Sequence, residues 1–167
     1  LESNKMVKPQ DIPSVIFRGY DLRGLVGKEL NEEIMELLGK SYATFLAKRR
    51  INETVVGCNN RLTSDAYKKA VIRGLVSCGI NVYDFGLGLS QIMYFAQYYF
   101  RSKGGVFITA SHNPKEYNGM KLAVGFSQTM ITEEIDALRQ IAQSGQYITH
   151  EESGNVQSFD IFPAYQE

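Results

Sequence analysis

Ser111 and His112 stand side by side just past an apolar run, in Gly105-Val106-Phe107-Ile108-Thr109-Ala110-Ser111-His112-Asn113-Pro114. Asn113-Pro114 holds the chain extended and then turns it. A rigid turn that presents one hydroxyl suits a nucleophile. The side chains of His112 and Asn113, with nearby backbone N–H groups, are donors suited to a phosphate. An ordinary hydroxyl or Asx turn with a satisfied histidine would account for the same residues. Lys121 follows Asn118-Gly119; if the chain folds back there, its ammonium reaches the Ser111 neighbourhood. A lysine so placed neutralises phosphate charge or, with a lowered pKa, moves a proton. A solvated strand lysine is the plainer alternative. Earlier, Tyr20-Asp21-Leu22-Arg23-Gly24 offers a guanidinium able to grip phosphate in a two-pronged way, with Asp21 to orient it and Gly24 to permit close approach.

A serine-hydrolase reading of the same residues is weak. Adjacent side chains on extended backbone point apart, so His112 is badly placed as a base for Ser111. The only other histidine, His150, lies in the polar stretch Thr149-His150-Glu151-Glu152, and no Gly-x-Ser-x-Gly elbow is present.

Several elements must position these groups. Val15-Ile16-Phe17 reads as a short strand before a glycine-punctuated loop, Arg18–Gly27. Asn31 caps a helix with Glu32 and Glu33 in its first turn. Ile34, Leu37, Leu38, Tyr42 and Phe45 then recur at helical spacing. Thr54–Gly57 is a brief buried strand. Thr63 or Ser64 caps the next helix, with Tyr67, Ala70, Val71, Leu75 and Cys78 inward and Gly79 as its stop. Asn81–Phe85 is a strand, and Ser90 caps an aromatic-rich helix, Ile92 to Phe100, whose rings read as core. Val106, Phe107 and Ile108 are apolar on both faces, as in a central strand covered by helices. Ala110–Gly119 is too short for a helical crossover before Met120–Val124, so those two strands run antiparallel, with Asn118-Gly119 as the reversal. Thr132 caps a last helix with Ile135, Leu138 and Ala142 inward and Gly145 past its end. The expected fold is a three-layer α/β/α sandwich with a mixed, mostly parallel sheet.

The 167 residues suit one domain. Eighteen Lys and Arg balance 18 Asp and Glu, without a basic cluster, so nothing calls for nucleic acid. Arg49-Arg50 has its place at a helix end, offsetting the dipole. Two cysteines, Cys58 and Cys78, make neither a disulfide framework nor a zinc site. No apolar run approaches the ~20 residues that span a bilayer, and no signal-peptide core opens the chain. The expectation is a reduced, cytoplasmic protein with no membrane partner. Leu1-Glu2-Ser3 lacks an initiator methionine, as an internal start would. Phe159, Ile161 and Phe162 form a new apolar group with little chain left to use it, so the expectation is a piece of something longer.

Thr109-Ala110-Ser111-His112-Asn113-Pro114, followed by Tyr117-Asn118-Gly119-Met120-Lys121, resembles the signature of the α-D-phosphohexomutases, which include phosphoglucomutase and phosphomannomutase. Phe17-Arg18-Gly19-Tyr20-Asp21-Leu22-Arg23-Gly24 resembles the opening motif of that family, and the order of elements between the two looks like its first domain. The resemblance covers nearly the whole chain. It implies residues 1–157 as a phosphoserine-loop domain and 158–167 as the start of a linker or second domain. It implies that Ser111 is the phosphoserine and, through its phosphate, a ligand of Mg2+. Lys121 and Arg23 would be general acid and base. His112 would position substrate and phosphate, Tyr20 would line the cleft, and Asn113 would contact substrate or phosphate. The implied reaction interconverts hexose 1-phosphate and hexose 6-phosphate (glucose or mannose) by way of a bisphosphorylated sugar. Glucose 1,6-bisphosphate or its mannose analogue would be the phosphorylating activator.

Two departures qualify the resemblance. The family usually places an arginine and an aspartate after the strand glycine, before the arginine matched by Arg61; here the run is Gly57-Cys58-Asn59-Asn60-Arg61, so two charges are missing, and altered local structure or interdomain contact is expected rather than lost chemistry. The family also has four domains, and the remaining three, with the aspartates that complete the magnesium site, are absent here. The isolated chain is therefore expected to be inactive. The reading from another class is a non-catalytic sugar-phosphate-binding or interaction module.

Overall fold

A computed structural model describes residues 6–167; the Leu1-Glu2-Ser3 start lies outside the described residues. Seven strands are joined in one sheet: β1 (Leu22–Leu25), β2 (Glu53–Cys58), β3 (Asn81–Leu87), β4 (Gly104–Ile108), β5 (Tyr117–Gly125), β6 (Gln128–Thr129) and β7 (Val156–Ser158). The order is β1-β5-β4-β2-β3-β7, with β6 paired to β5. Strand β4 is parallel to β2, β2 to β3 and β3 to β7, while β5 runs antiparallel to both its neighbours β4 and β1. The mixed, mostly parallel sheet and the short β4–β5 reversal are as expected.

Among the described residues five α-helices complete the fold: α1 (Glu32–Ala47), α2 (Ser64–Ser77), α3 (Ser90–Phe100), α4 (Thr132–Ser144) and α5 (Phe162–Gln166). Period-two alternation divides the sheet between two cores. Val56, Val106, Ile108, Met120 and Leu122 face α1, α2 and α4 in one cluster. Val55, Phe85, Phe107 and Ala123 face α3 in the other, which Ile161 joins from the tail. Helix α1 passes so close to α2 that a Cβ at Gly39 would lie 2.4 Å from the Val71 carbonyl oxygen. Gly79 and Gly145 take φ of +80° and +69° and end α2 and α4 as expected.

Several expected details differ. Ser14–Ile16 is a turn of 3-10 helix, not a strand. The first strand lies instead inside the expected loop, at Leu22–Leu25. Asn31 caps α1, its Oδ1 accepting from Ile34 N–H at 2.8 Å, but the other expected caps bond elsewhere. Leu89 and Ile131 occupy the cap positions of α3 and α4. Thr132 Oγ1 donates to the Gly19 carbonyl. Thr63 and Ser64 Oγ atoms accept from the Asn118 side-chain amide at 2.9 and 3.0 Å. For these three a tertiary partner replaces the local one, although Thr63 does stand at the α2 cap position, while Ser90 Oγ donates to the neighbouring Gln91 side chain. Asn118-Gly119 is not the reversal, which falls at residues 109–116. Both residues belong to β5, opposite Gly24 and Arg23 of β1. Glycine is needed at 119 for close approach, since a Cβ there would lie 1.8 Å from the Leu22 carbonyl oxygen.

On α3, Ile92, Met93 and Ala96 are core, but Tyr98 and Tyr99 are exposed. Phe159 packs edge-on against Phe100, and Tyr165 against Phe95. Cys58 and Cys78 are free and buried. Among the described residues no helix is long and apolar enough to cross a membrane.

Candidate active site

Ser111 follows the carboxyl end of the central strand β4, where α/β sheets present ligand-binding loops. Its backbone is left-handed, with φ of +53°. A non-glycine residue held there costs of order 1–3 kcal/mol, so its surroundings must impose the conformation. Two groups of contacts do so. On the strand side, Thr109 Oγ1 accepts from Ser111 N–H at 3.0 Å and from Asn59 Nδ2 at 3.0 Å. Asn59 Oδ1 in turn accepts from Arg61 N–H and from Ser64 Oγ. On the loop side, the Arg61 guanidinium donates to the carbonyls of Ser111, Asn113, Pro114 and Tyr117. Ser111 is half-buried and lines an open cleft of about 870 Å³ with Asn59, Asn60, Arg61, Asn113 and Lys115.

The expected cations approach from β1 and β5. Leu22 and Gly24 are buried on the α1 side, which places Arg23 on the α3 side of the sheet. Lys121, opposite Phe107, lies on that same side. Arg23 is paired with Gly119, so Lys121 is its diagonal neighbour, a separation of about 7–8 Å in an antiparallel pair. Arg23 Nε donates to both oxygens of Asp21, at 2.9 and 3.1 Å, and Nη1 donates to Asn113 Oδ1 at 2.8 Å. Burial alone would lower the pKa of the guanidinium; hydrogen bonding and charge from Asp21, helped by Tyr20, outweigh it, and the net direction is up. Arg23 therefore remains a cation. Tyr20 lies beside it, with the guanidinium 5.9 Å from the ring centre, and Arg18, Tyr20, Arg23 and Asn113 line a smaller recess.

The structure thus brings Arg23, Tyr20 and Asn113 into contact and sets Lys121 on the same face. The Lys121 ammonium forms no ion pair among the described residues. His112 is exposed. The Asn113 amide oxygen is already engaged by Arg23. Asn59, in the run that lacks the family's two charges, and Arg61, read only as matching a family arginine with no role assigned, hold the serine loop. Backbone carbonyls leave no mark in side-chain patterns, so only the spacing from the β2 glycine could have singled Arg61 out.

A divalent cation finds an incomplete donor set here. No cluster of three or more His, Cys, Asp or Glu among the described residues is arranged to hold a metal, and the Asp21 carboxylate is committed to Arg23.

The chain resembles known proteins in sequence and in fold. Residues 14–148 match the family model described as phosphoglucomutase/phosphomannomutase, alpha/beta/alpha domain I. The chain is 38% identical over 152 residues to a phosphomannomutase of Vibrio cholerae, covering 89% of this chain and 33% of that protein. It is 35% identical over 158 residues to a phosphomannomutase/phosphoglucomutase of Pseudomonas aeruginosa, covering 95% of this chain and 34% of that one. A crystal structure of a phosphoglucomutase/phosphomannomutase family protein from Burkholderia thailandensis superposes with a TM-score of 0.83 at 26% identity, covering 92% of this chain and 35% of that one. The chain spans about a third of the length of these relatives.

Proposed function

The chain belongs to the phosphoglucomutase/phosphomannomutase family, as its domain I, and on that premise we propose that it carries the phosphoserine of a hexose-phosphate mutase. The observation that carries the reading is Ser111 itself: a left-handed, non-glycine residue at a strand's carboxyl end, lining a cleft, in a loop that Arg23 joins through Asn113.

In this reading the Ser111 Oγ–P bond breaks as the phosphoryl group passes to the free hydroxyl of a hexose phosphate, which loses its proton to a base, while Ser111 Oγ takes up a proton from the general acid. The bisphosphorylated sugar turns over and returns its other phosphate to Ser111, so hexose 1-phosphate becomes hexose 6-phosphate. Transfer of this kind depends on positioning and on stabilising charge spread over the phosphoryl oxygens. Arg23, kept protonated by Asp21, serves as a fixed positive charge, and Lys121 is the better suited of the two to move the proton. His112 and Tyr20 contact the sugar phosphate. Glucose 1,6-bisphosphate or the mannose analogue loads Ser111. The resemblance implies magnesium at the Ser111 phosphate; the donors described here do not complete its shell, and the steps above do not depend on it.

Residues 1–157 then form the phosphoserine-loop domain and residues 158–167 open a linker to a second. The partners are hexose phosphates and the remaining domains of a longer chain. The two free, buried thiols support a reducing, cytoplasmic setting. The test is conversion of glucose 1-phosphate or mannose 1-phosphate by the natural full-length protein and its Ser111→Ala variant. Turnover that depends on Ser111 supports the reading; an unchanged rate in the variant, or binding without turnover, overturns it. The 167 residues alone are expected to show no turnover.

A further inference from the structure

We propose that Arg61 is the positioning residue of the serine loop: by gathering four backbone carbonyls it sets the Ser111 hydroxyl and turns the His112 main-chain N–H toward the phosphoryl group. The inference rests on Ser111 being the phosphorylated residue. Arg61 Nη1 donates to the carbonyls of Pro114 and Tyr117 at 2.8 and 3.0 Å, and Nη2 to those of Ser111 and Asn113 at 3.3 and 2.7 Å. A guanidinium carries five N–H donors in a rigid plane. Its two terminal nitrogens are both in use, and the buried Nε has no partner among the described residues. A buried donor left unpaired is a cost that a surface arginine would not bear. Here it accompanies a guanidinium plane turned wholly toward the loop.

The consequence for the serine follows from peptide geometry. Among the described residues the backbone has no cis bonds, so each C=O points opposite to the N–H of the next residue. With the Ser111 carbonyl drawn to Arg61, the His112 N–H points away from it, and that N–H meets no acceptor among the described residues. The Ser111 N–H is held by Thr109 Oγ1, and the Asn113 N–H by the Ala110 carbonyl. Of the three main-chain donors at residues 111–113, only that of His112 is left open, beside the left-handed serine. A fixed N–H beside developing phosphoryl charge stabilises it without reorganisation. His112 then contributes through its backbone as well as its ring. Arg61 acts only through the loop: its four terminal N–H donors are engaged by carbonyls and its Nε is buried, so this reading gives it no phosphate contact.

Lysine at position 61 keeps the charge but offers three donors on a single nitrogen, which cannot span four carbonyls. The experiment uses the natural full-length protein. Phosphoryl transfer from glucose 1,6-bisphosphate to Ser111 is timed in a single turnover by intact mass, for wild type, Arg61→Lys, and Arg61→Ala with and without added guanidinium ion. Arg61→Lys is expected to slow loading and kcat about 100-fold, as a misplaced reacting group does. KM should stay within about threefold, since no substrate contact is lost. Guanidinium ion is expected to restore at least about tenfold of the Arg61→Ala loss, and this rescue decides the matter if the lysine variant does not fold. Loading by Arg61→Lys at the wild-type rate, a loss confined to KM, or failure of rescue overturns the inference. Wild-type protein that takes up no phosphate instead overturns the phosphoserine reading itself.

Discussion

Arg23 Nη1 donates a 2.8 Å hydrogen bond to Asn113 Oδ1, joining the β1 strand to the loop that carries Ser111 across 90 residues of sequence. The same guanidinium is held from behind by Asp21, which is 3% exposed and accepts through both carboxylate oxygens. Replacing Asp21 by alanine removes that hold and leaves a half-buried cation to find its own orientation. The Asp21→Ala variant should lose about 1.5–3 kcal/mol of stability, the range for a hydrogen bond to a charged group. It should also lose activity beyond what its unfolded fraction explains. Denaturant titration and steady-state kinetics on the same preparation check both; wild-type values in either would be inconsistent with the orienting role.

Lys121 shares the sheet face of Arg23 but forms no ion pair among the described residues. Lys121→Met keeps most of the stem and removes the charge. The expected outcome is a fall in kcat of about 10²–10⁴, the usual scale for a general acid or base, with stability changed by no more than about 0.5 kcal/mol. A variant that retains full kcat would remove Lys121 from the proton-transfer role.

Alkaline pH should weaken the fold through buried tyrosines. Burial pushes the hydroxyl of Tyr42 far up, and burial raises Tyr67 and Tyr147 as well. A raised folded pKa means the native state holds its proton longer than the unfolded chain. Stability is therefore complete below the ordinary tyrosine value of about 10 and declines as pH rises past it. Tyr42 also accepts from Gly105 N–H at 3.0 Å and donates to the Ala123 carbonyl. Tyr42→Phe should cost about 1–3 kcal/mol at neutral pH and flatten the alkaline decline. Unfolding free energies measured between neutral pH and pH ~11 decide it; a profile equally steep in the variant would count against the assignment.

Gly119 admits no side chain. Alanine there drives a Cβ into the Leu22 carbonyl oxygen, forcing β1 away from β5 and carrying Arg23 with it. A loss of about 3 kcal/mol is expected, at the upper end of overpacking costs, visible as a lowered melting temperature. An unchanged Tm would mean that the two strands are less tightly paired than their register implies.

These details show where sequence alone was sufficient. The helical spacing of Ile34, Leu38, Tyr42 and Phe45 placed α1, and the doubly apolar Val106-Phe107-Ile108 placed the covered strand β4. In both, burial leaves a period in the side chains. Strand β1 was illegible because Leu22–Leu25 is only four residues long and carries Arg23 and Gly24 for reasons of the site. Asn118-Gly119 resembled a turn because the residues that suit turns also suit a tight strand crossing; the close approach of Leu22 decides between them. Thr63, Ser64 and Thr132 read as caps, yet their hydroxyls bond Asn118 and the Gly19 carbonyl, partners remote in sequence. Arg61 was the largest omission at the site, since carbonyls are common to every residue type.

The most direct measurement is the mass and location of phosphate on the natural full-length protein after incubation with glucose 1,6-bisphosphate. The account predicts a single phosphoryl group on Ser111, discharged when hexose 1-phosphate is supplied and absent from Ser111→Ala. A protein that stays unmodified, or that carries its phosphate on another residue, would contradict it.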